Sequence, residues 1–181
     1  MEVEIRAAKP EDCKNLLLLI KELADYEGFG DRPKIDEKGK KSKMLIEDGF
    51  GDSPFYHSFV AELNDKEKAI VGFCLYFYTY STWEGRAVYM EDLYVKKEFR
   101  KRGIGFKLWK TLAQEAVLKN CKRMDFAVLN WNQPSIHFYE KMGAMNQTKE
   151  EGWNLFRLGE TALERLACEI KNDEEISKKL N

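Results

Sequence analysis

Apolar residues alternate with polar ones over short stretches of this chain and recur at helical spacing over others. The first stretch, Val3 to Ala7, has the length and composition of a β-strand. From Pro10 to Tyr26 the apolar residues recur every three or four positions, which predicts an amphipathic helix. Pro10 can begin that helix because the first helical turn needs no N–H there. A weaker, more polar helix is predicted from Asp36 to Glu47.

The middle of the chain is rich in aromatic and β-branched residues, which are typical of strands. Strands are predicted at Phe55–Leu63, Ile70–Tyr80 and Ala87–Val95, and the short link between the first two indicates a hairpin. A long helix is predicted from Gly103 to Lys119, because its apolar residues fall on one stripe.

In the last third of the chain, the residue pattern predicts two strands and two helices. These are a strand at Arg123–Leu129, a helix at Pro134–Met142, a strand at Glu151–Leu158 that closes the sheet, and a helix at Thr161–Ile170. Hairpin-linked strands are thus followed by a strand–helix–strand crossover. This order predicts an α/β fold with a mixed sheet and helices on both faces, in one domain. We expect that domain to span residues 1–171, with a charged tail at residues 172–181.

Composition limits the possible functions. The chain has 181 residues, 44% of them hydrophobic, which is enough for one well-packed domain. Its net charge is -1, so no overall charge attracts nucleic acid or an anionic membrane, and we expect neither as a partner. The apolar stretches are too short to span a bilayer, and no signal-peptide pattern is expected at the N-terminus. Widely spaced cysteines without a C-x-x-C pair predict no metal site and a reducing compartment, the cytoplasm: Cys13, Cys74, Cys121 and Cys168.

A basic segment stands out from this balanced composition. Between positions 96 and 110 there are seven basic residues and one acid, Glu98. Within it, Arg100-Lys-Arg-Gly-Ile-Gly105 follows a predicted strand and precedes the long predicted helix. Glycines let a backbone approach a ligand closely, and a helix N-terminus attracts anions, so a pyrophosphate suits this loop. Taken alone, the segment is also compatible with a solvated charged face or a localisation signal.

The loop resembles the acetyl-CoA pyrophosphate loop of the GCN5-related N-acetyltransferase (GNAT) superfamily. Further segments resemble the spermidine/spermine (diamine) N-acetyltransferase family, and together the similarity covers residues 3–167. The resemblance implies a GNAT fold, direct acetyl transfer from acetyl-CoA to a small-molecule amine, and a homodimer. The segments that carry it are Glu47–His57, Tyr89–Asp92, Trp131–Ser135, Phe138–Tyr139 and Glu151–Trp153.

The resemblance also implies the acetyl-CoA site. The backbones of Leu93, Tyr94 and Val95 are expected to bind the pantetheine, with one N–H polarising the acetyl carbonyl. Lys101 stands where relatives often have glycine, and it is expected to add positive charge near the phosphates. Phe106 stands where serine is common. The remaining residues implied in cofactor binding are Arg100, Lys101, Arg102, Gly103, Ile104, Gly105, Phe106, Asn132, Gln133, Pro134, Ser135 and Tyr139. Asn132 is equally a candidate N-cap for the helix behind Pro134.

The chemistry of amine acetylation sets the catalytic candidates. An alkylammonium with a pKa of ~10.4 is almost wholly protonated at pH 7, so the amine must lose a proton before it attacks. The resemblance implies Glu91 as base and substrate anchor, Asp92 as its support, and the Tyr139 phenol as proton donor to the CoA sulfur. From the residues alone, Glu91 and Asp92 also fit strand-end acids on opposite faces, and Tyr139 fits a core aromatic.

The amine site is implied by further acids and aromatics, some of which come from the partner subunit in the family. For Glu27 the alternative is a solvated acid at the end of a helix. The residues implied in substrate binding are Tyr26, Glu27, Glu91, Asp92, Asp125, Phe126, Ala127 and Glu151.

One position separates two branches of this family. The polyamine-acetylating branch has an acid where Ser81 stands, whereas Ser81-Thr-Trp83 resembles the branch known for thialysine and related side-chain amines. Losing one charge-assisted contact costs ~1.5–3 kcal/mol. We therefore predict thialysine, or another lysine-like or diamine compound, as substrate. The alternatives are a polyamine N1-acetyltransferase, a non-catalytic acyl-CoA-binding protein, a nucleic-acid module and an acetyltransferase for protein amines.

Overall fold

The computed structural model describes residues 2–32 and 40–168. The chain divides into two compact units, Met1–Leu129 and Asn130–Asn181. The first unit contains the sheet and the helices packed on it, and the second contains helices joined by irregular segments. The predicted domain boundary at residue 171 stays a prediction, and the predicted tail lies outside the described residues.

The first unit is a five-stranded mixed sheet in the order β1-β2-β3-β4-β5. Strands β1 to β4 pair antiparallel with their neighbours, and β5 pairs parallel with β4. The strands are β1 (Val3–Ala7), β2 (His57–Leu63), β3 (Ile70–Ser81), β4 (Gly85–Val95) and β5 (Met124–Phe126). The helices are α1 (Cys13–Tyr26), α2 (Lys40–Phe50) and α3 (Ile104–Leu118), with short 3-10 turns at Pro10–Asp12 and Lys97–Phe99.

Helices pack on both faces of the sheet, as the sequence predicts. Phe73 of β3 is fully buried in a cluster with Leu16 and Leu19 of α1. The neighbouring position, Gly72, faces the other way: a Cβ added there would lie 3.4 Å from a methyl group of Leu108 in α3. Successive residues of β3 therefore face α1 and α3, which explains why this strand is apolar on both faces.

A β-bulge interrupts the pairing of β3 with β4. Leu75 lies opposite Asp92, but the next residue, Tyr76, lies opposite Met90. Glu91 is therefore the extra residue of the bulge. A bulge breaks the strict alternation of side chains and bends its strand. Strict alternation, on which the prediction of opposite faces for Glu91 and Asp92 depends, therefore does not apply at this position.

Most predicted elements of the first unit are confirmed within a few residues. The second predicted helix is present as α2 and ends at Phe50 rather than at Glu47, while its predicted start at Asp36 lies outside the described residues. The strand predicted at Arg123–Leu129 shrinks to β5, because its pairing ends opposite Met90, immediately before the bulge. No helix of the described residues is long and apolar enough to cross a membrane.

The second unit contains α4 (Gln133–Lys141), α5 (Gln147–Glu150) and a helix at residues 160–168. The prediction of a closing strand at Glu151–Leu158 is wrong, because residues 152–159 form no strand. Leu155 and Phe156 are adjacent and both at least 80% exposed. Residues that favour strands form one only when a neighbouring strand is available for backbone hydrogen bonds.

Candidate functional site

Three carboxylates of the first unit influence one another. Glu27 follows the last residue of α1, and Glu91 and Asp92 lie in β4. Burial, followed by the nearby charges of Glu91 and Glu27, raises the pKa of Asp92 to about 7. Burial and the charge of Glu91 also raise the pKa of Glu27. The structure thus brings these predicted substrate acids together, and Glu27 is half-buried rather than a fully solvated helix-end acid.

The backbone of β4 has an open edge beside these acids. β5 pairs with β4 only from Val88 to Met90, whereas β4 continues to Val95. Beyond the bulge at Glu91, β4 is therefore hydrogen-bonded to β3 but not to β5. An extended ligand chain can bind such an edge as an added strand does. The residues predicted to bind pantetheine, Leu93 to Val95, occupy this edge.

The end of β4 is tied to α1 by polar side chains. The Tyr94 hydroxyl donates a hydrogen bond to Oε2 of Glu22 over 3.2 Å. The Lys96 ammonium lies 3.0 Å from the other oxygen of the same carboxylate. The role of Glu22 has no signal in the sequence, because it depends on the packing of α1 against β4 rather than on a local pattern.

Arg100, the first residue of the glycine-containing loop, is held at this junction. Its Nε donates to the carbonyl oxygen of Val95 over 2.8 Å. Its guanidinium carbon lies 4.6 Å from the ring centroid of Tyr26 and 5.3 Å from that of Tyr94. Both distances are typical of cation–π contacts. Tyr26, predicted as a substrate residue, thus contacts the predicted cofactor loop.

The loop ends in an anion-binding geometry. Gly103 has φ 77°, in the left-handed region, and no side chain caps the N-terminus of α3. The first helical N–H groups, those of Ile104, Gly105 and Phe106, have no partner within the helix and lie at the positive end of its dipole. A Cβ added at Gly103 would meet nothing within 4 Å. The conformation, not crowding, therefore favours glycine here, and the donors fit a phosphate group.

Lys101 has φ 60°, also in the left-handed region, although it is not a glycine. A side chain in this conformation costs roughly 1–2 kcal/mol. The departure noted in the sequence, Lys101 where relatives often have glycine, thus falls at a position whose backbone favours glycine.

The predicted substrate residues of the β5 region lie near the bulge. Asp125 pairs with Tyr89 and Phe126 with Met90, while Ala127 directly follows the strand and is exposed. Oδ2 of Asp125 accepts a hydrogen bond from Nε of Arg123 over 2.9 Å. Arg123 was not among the predicted site residues, since a single arginine before a short strand carries no motif.

In the second unit, Asn132 is the N-cap residue of α4, but its side chain does not cap the helix. Its carbonyl oxygen accepts hydrogen bonds from the N–H groups of Ser135 and Ile136. Gln133 Nε2 donates to the carbonyl oxygen of Asn130 over 2.7 Å, and Pro134 lies in the first turn. The prediction that Asn132 is the N-cap residue of this helix is thus confirmed in position, without a side-chain hydrogen bond, and its predicted contact with the cofactor stays a prediction.

Tyr139 and Glu151 have defined surroundings within the second unit. Tyr139 is 9% exposed, and its ring lies 5.2 Å from that of Phe138 in an edge-to-face arrangement. Burial is compatible with both interpretations of Tyr139, a core aromatic and a proton donor. Glu151 is exposed, and its Oε2 accepts a hydrogen bond of 2.6 Å from the Trp153 indole.

Ser81, the position used to separate two substrate branches, is 8% exposed. Its hydroxyl accepts hydrogen bonds from the N–H groups of Trp83 and Glu84 over 3.3 and 3.2 Å. Ser81 therefore stabilises the turn between β3 and β4. An aspartate can accept the same two hydrogen bonds, so this contact gives no support to the argument that Ser81 sets substrate choice.

The site can bind a cation at the carboxylates before the end of β4 and an anion at the start of α3. In residues 2–32 and 40–168, no group of three His, Cys, Asp or Glu side chains is placed to hold a metal ion. Unneutralised carboxylates attract an ammonium group, and the uncapped start of α3 attracts a phosphate. The open edge of β4 lies between these features in the sequence.

Comparison with known proteins gives consistent matches. The model described as "Acetyltransferase (GNAT) family" matches residues 20–144. Thialysine N-epsilon-acetyltransferase of Bos taurus is 44% identical over 91% of this chain and 97% of its own length. Spermidine/spermine N(1)-acetyltransferase-like protein 1 of Homo sapiens is 40% identical over 92% of this chain but only 24% of its own length. Among solved structures, an integron cassette protein from the mobile metagenome of V. cholerae superposes with TM-score 0.74 and 27% identity, covering 92% of this chain and 98% of that one.

Proposed function

Because the chain belongs to the acetyltransferase (GNAT) family, we propose that it acetylates a primary amine of a small molecule with acetyl-CoA, most favourably thialysine or another lysine-like amine. The cluster of Glu27, Glu91 and Asp92 beside the open edge of β4 carries this proposal. A cationic amine is the natural occupant of such a cluster. The similarity to thialysine N-epsilon-acetyltransferases supports the choice of amine.

The acids have two tasks in this proposal. They attract the ammonium form of the substrate, and one of them accepts its proton before attack. Glu91 is the exposed member of the cluster and sits at the bulge, where its carboxylate reaches solvent. Asp92 is half-buried, and its pKa of about 7 leaves it partly protonated at neutral pH. We assign Glu91 as the base, acting directly or through water, and Asp92 as its support.

The cofactor loop and the edge of β4 complete the site. Acetyl-CoA, when bound, supplies the acetyl group as a thioester. The first-turn N–H groups of α3 fit its pyrophosphate, and the backbone of Leu93 to Val95 fits its pantetheine chain. Tyr139 is our candidate for the proton donor to the leaving sulfur. Arg100 keeps the loop against β4 through its hydrogen bond to Val95.

Two further assignments belong to the proposal. We propose a homodimer, because the resemblance places some substrate contacts in the partner subunit. We propose the cytoplasm as the compartment, and this is supported by four cysteines that are all free thiols.

The experiment that tests the function is CoA release by the purified protein with acetyl-CoA and a panel of amines. The panel contains thialysine, lysine, putrescine, spermidine, spermine and a lysine peptide. Release with thialysine well above spermidine is expected. Preference for the peptide would point to protein acetylation instead, and CoA binding without turnover on any amine would contradict the enzymatic proposal.

A polyamine N1-acetyltransferase is the second candidate. One observation favours it: three neighbouring acids suit a substrate with several cations. The 40% identity with the human spermidine/spermine acetyltransferase-like protein supports the same class. In the panel above, this candidate requires spermidine or spermine to be turned over faster than thialysine.

A further inference from the structure

An arginine bridges two carboxylates next to β5, and no functional role has been assigned to it above. Arg123 precedes β5, Asp125 lies within β5, and Glu84 lies in the turn between β3 and β4. Nε of Arg123 donates to Asp125 over 2.9 Å, and its Nη1 donates to Glu84 over 2.8 Å. Held from both sides, the guanidinium is oriented in advance. Its side chain is 37% exposed, so a ligand can reach it.

Strand register places this group at a defined distance from the proposed base. Asp125 lies opposite Tyr89, and Glu91 follows Tyr89 by two residues along β4. With a strand rise of ~3.3 Å per residue, that separation is about 7 Å along the strand. An extended lysine-like side chain has five bonds between its α-carbon and its terminal nitrogen. From bond lengths of about 1.5 Å, its reach is roughly 6 Å. Because Asp125 lies one strand spacing of ~4.8 Å to the side, its backbone is about 8 Å from that of Glu91, a gap that the substrate side chain can span together with the two acidic side chains.

The group also lies on the correct face of the sheet. Tyr89 lies opposite Phe77, and Asp92 lies opposite Leu75, two residues earlier on β3. Residues two apart on a strand share a face, and so do directly opposed residues. Asp125, opposite Tyr89, therefore shares a face with Asp92, and the hydrogen bond from Arg123 places the guanidinium next to Asp125.

Resting on the proposed function, we propose that Arg123 and Asp125 bind the zwitterionic head of an α-amino-acid substrate. Arg123 pairs with the α-carboxylate and Asp125 with the α-ammonium, while the side-chain amine reaches Glu91. An arginine has five N–H donors. In the described part of the chain, Nε and Nη1 of Arg123 are used and Nη2 makes no hydrogen bond. The Nη2 amino group is therefore available for a carboxylate.

This pairing selects between classes of amine. An α-amino acid such as thialysine presents one carboxylate and one ammonium to the pair. A diamine or polyamine presents only ammonium groups, and Arg123 repels the ammonium group that would bind Asp125. Arg123 thus acts as a specificity-determining residue for amino acids over plain amines. If Arg123 only stabilised the packing of the turn against β5, its removal would affect amino-acid and diamine substrates equally.

The test compares two substrates that differ only by the carboxylate. These are thialysine and its decarboxylated form, bis(2-aminoethyl) sulfide, with lysine and cadaverine as a second pair. Steady-state kcat and KM for each are measured on the full-length wild type, Arg123→Gln, Arg123→Lys and Lys122→Gln. The last removes a positive charge from the adjacent, exposed position and serves as the matched control. Thermal melting of each variant checks folding.

Wild type should prefer the amino acid in kcat/KM. Arg123→Gln should lower the ratio of amino-acid to diamine kcat/KM by about ten- to a hundredfold, the loss expected for a charge-assisted hydrogen bond. Arg123→Lys should lower it less, and Lys122→Gln by less than threefold. An unchanged ratio in Arg123→Gln, with both substrates losing equally, overturns the proposal and assigns a structural role. So does a wild type that does not distinguish the members of each pair.

Direct binding separates failure of this inference from failure of the proposed function. Calorimetric titration of thialysine and bis(2-aminoethyl) sulfide into the CoA-saturated protein needs no turnover. Tighter binding of thialysine that disappears in Arg123→Gln supports the inference even if no acetylation occurs. Equal binding of the two amines, or binding of neither, overturns it whatever the panel of amines shows.

Discussion

Two groups of carboxylates in the first unit have opposite electrostatic surroundings. Asp12 and Glu62 share the guanidinium of Arg6, which bridges the start of α1 and strand β2. Glu27, Glu91 and Asp92 have only one another: none forms an ion pair within residues 2–32 and 40–168. Burial would raise the pKa of Asp12, but hydrogen bonds from Arg6 and from the Lys9 backbone hold it below its ordinary value. Burial and like charge instead raise the pKa of Asp92.

The difference separates a structural acid group from a functional one. Where a carboxylate supports the fold, an arginine accompanies it with hydrogen bonds from within the chain. Where the chain leaves acids together without a cation, folding gains nothing from their charge, and a ligand must provide the cation. Binding of an ammonium substrate relieves the repulsion among the second group. Three changes test this distinction, given below from the largest expected effect to the smallest.

The largest effect is expected on catalysis. Glu91→Gln removes the proposed base but keeps the size of the side chain, so kcat for thialysine should fall by about 10²- to 10⁴-fold. Because Glu91 is exposed and makes no ion pair in the described chain, the melting temperature should stay the same or rise slightly. The measurement is CoA release beside a thermal melt. Glu67→Gln, an exposed acid in the turn between β2 and β3, is the control and should leave both unchanged. A kcat for Glu91→Gln within threefold of wild type would remove Glu91 from its assigned role.

The next effect is expected on stability alone. Arg6→Ala leaves Asp12 and Glu62 without their shared cation, and both side chains are at most 12% exposed. Removing one partner of such a group should cost about 3 kcal/mol of unfolding free energy, or roughly 6–12 °C in melting temperature for a chain of this size. Chemical denaturation measures the loss, and kcat per folded molecule should be unchanged.

The matched control for Arg6 is an exposed ion pair. Lys43 and Glu47 form an i,i+4 pair over 3.5 Å, with both side chains more than half exposed. Lys43→Ala should cost no more than about 0.5 kcal/mol. If both variants lost the same free energy of unfolding, burial would not distinguish these ion pairs. If Arg6→Ala also lowered kcat, Asp12 and Glu62 would contribute to the active site as well.

Local patterns predict much of the first unit correctly. The periodicity of α1, the apolar density of β3 and the stripe on α3 each lie within one segment, so one sequence is enough to identify them. The glycine-containing loop is also local, and its position between β4 and α3 is confirmed. The meeting of Glu27 with Glu91 and Asp92 follows from the family resemblance rather than from spacing.

Features that depend on pairing between distant segments were missed. The bulge at Glu91 arises from a mismatch between β3 and β4, and neither strand shows it alone. The strand predicted at Glu151–Leu158 lacks a partner edge in the described chain. Arg123 joins a turn to a strand 39 residues away in sequence. Such contacts have no local signal, which is why the site was predicted better in its loop than in its amine-binding face.

The smallest effect is a change in how stability depends on pH. The pKa of Asp92 is about 7 in the folded protein against 3.8 ordinarily, so the folded state binds a proton that the unfolded state releases between these values. Unfolding free energy should therefore fall as pH rises from about 4 to about 7. Asp92→Asn removes this contribution, so the variant should be more stable than wild type above pH 7 and similar to it near pH 4.

The full difference in pKa corresponds to about 4 kcal/mol, and partial exposure of the side chain screens part of it, so we expect about 2 kcal/mol at pH 8. Denaturation of wild type and Asp92→Asn at several pH values measures it. Asp12→Asn should behave in the opposite way, because a lowered pKa stabilises the fold above about pH 4 and that contribution is lost on acidification. If Asp92→Asn changed stability equally at every pH, its carboxyl would be an ordinary packing group. The contrast between the two acid groups would then not depend on their charge.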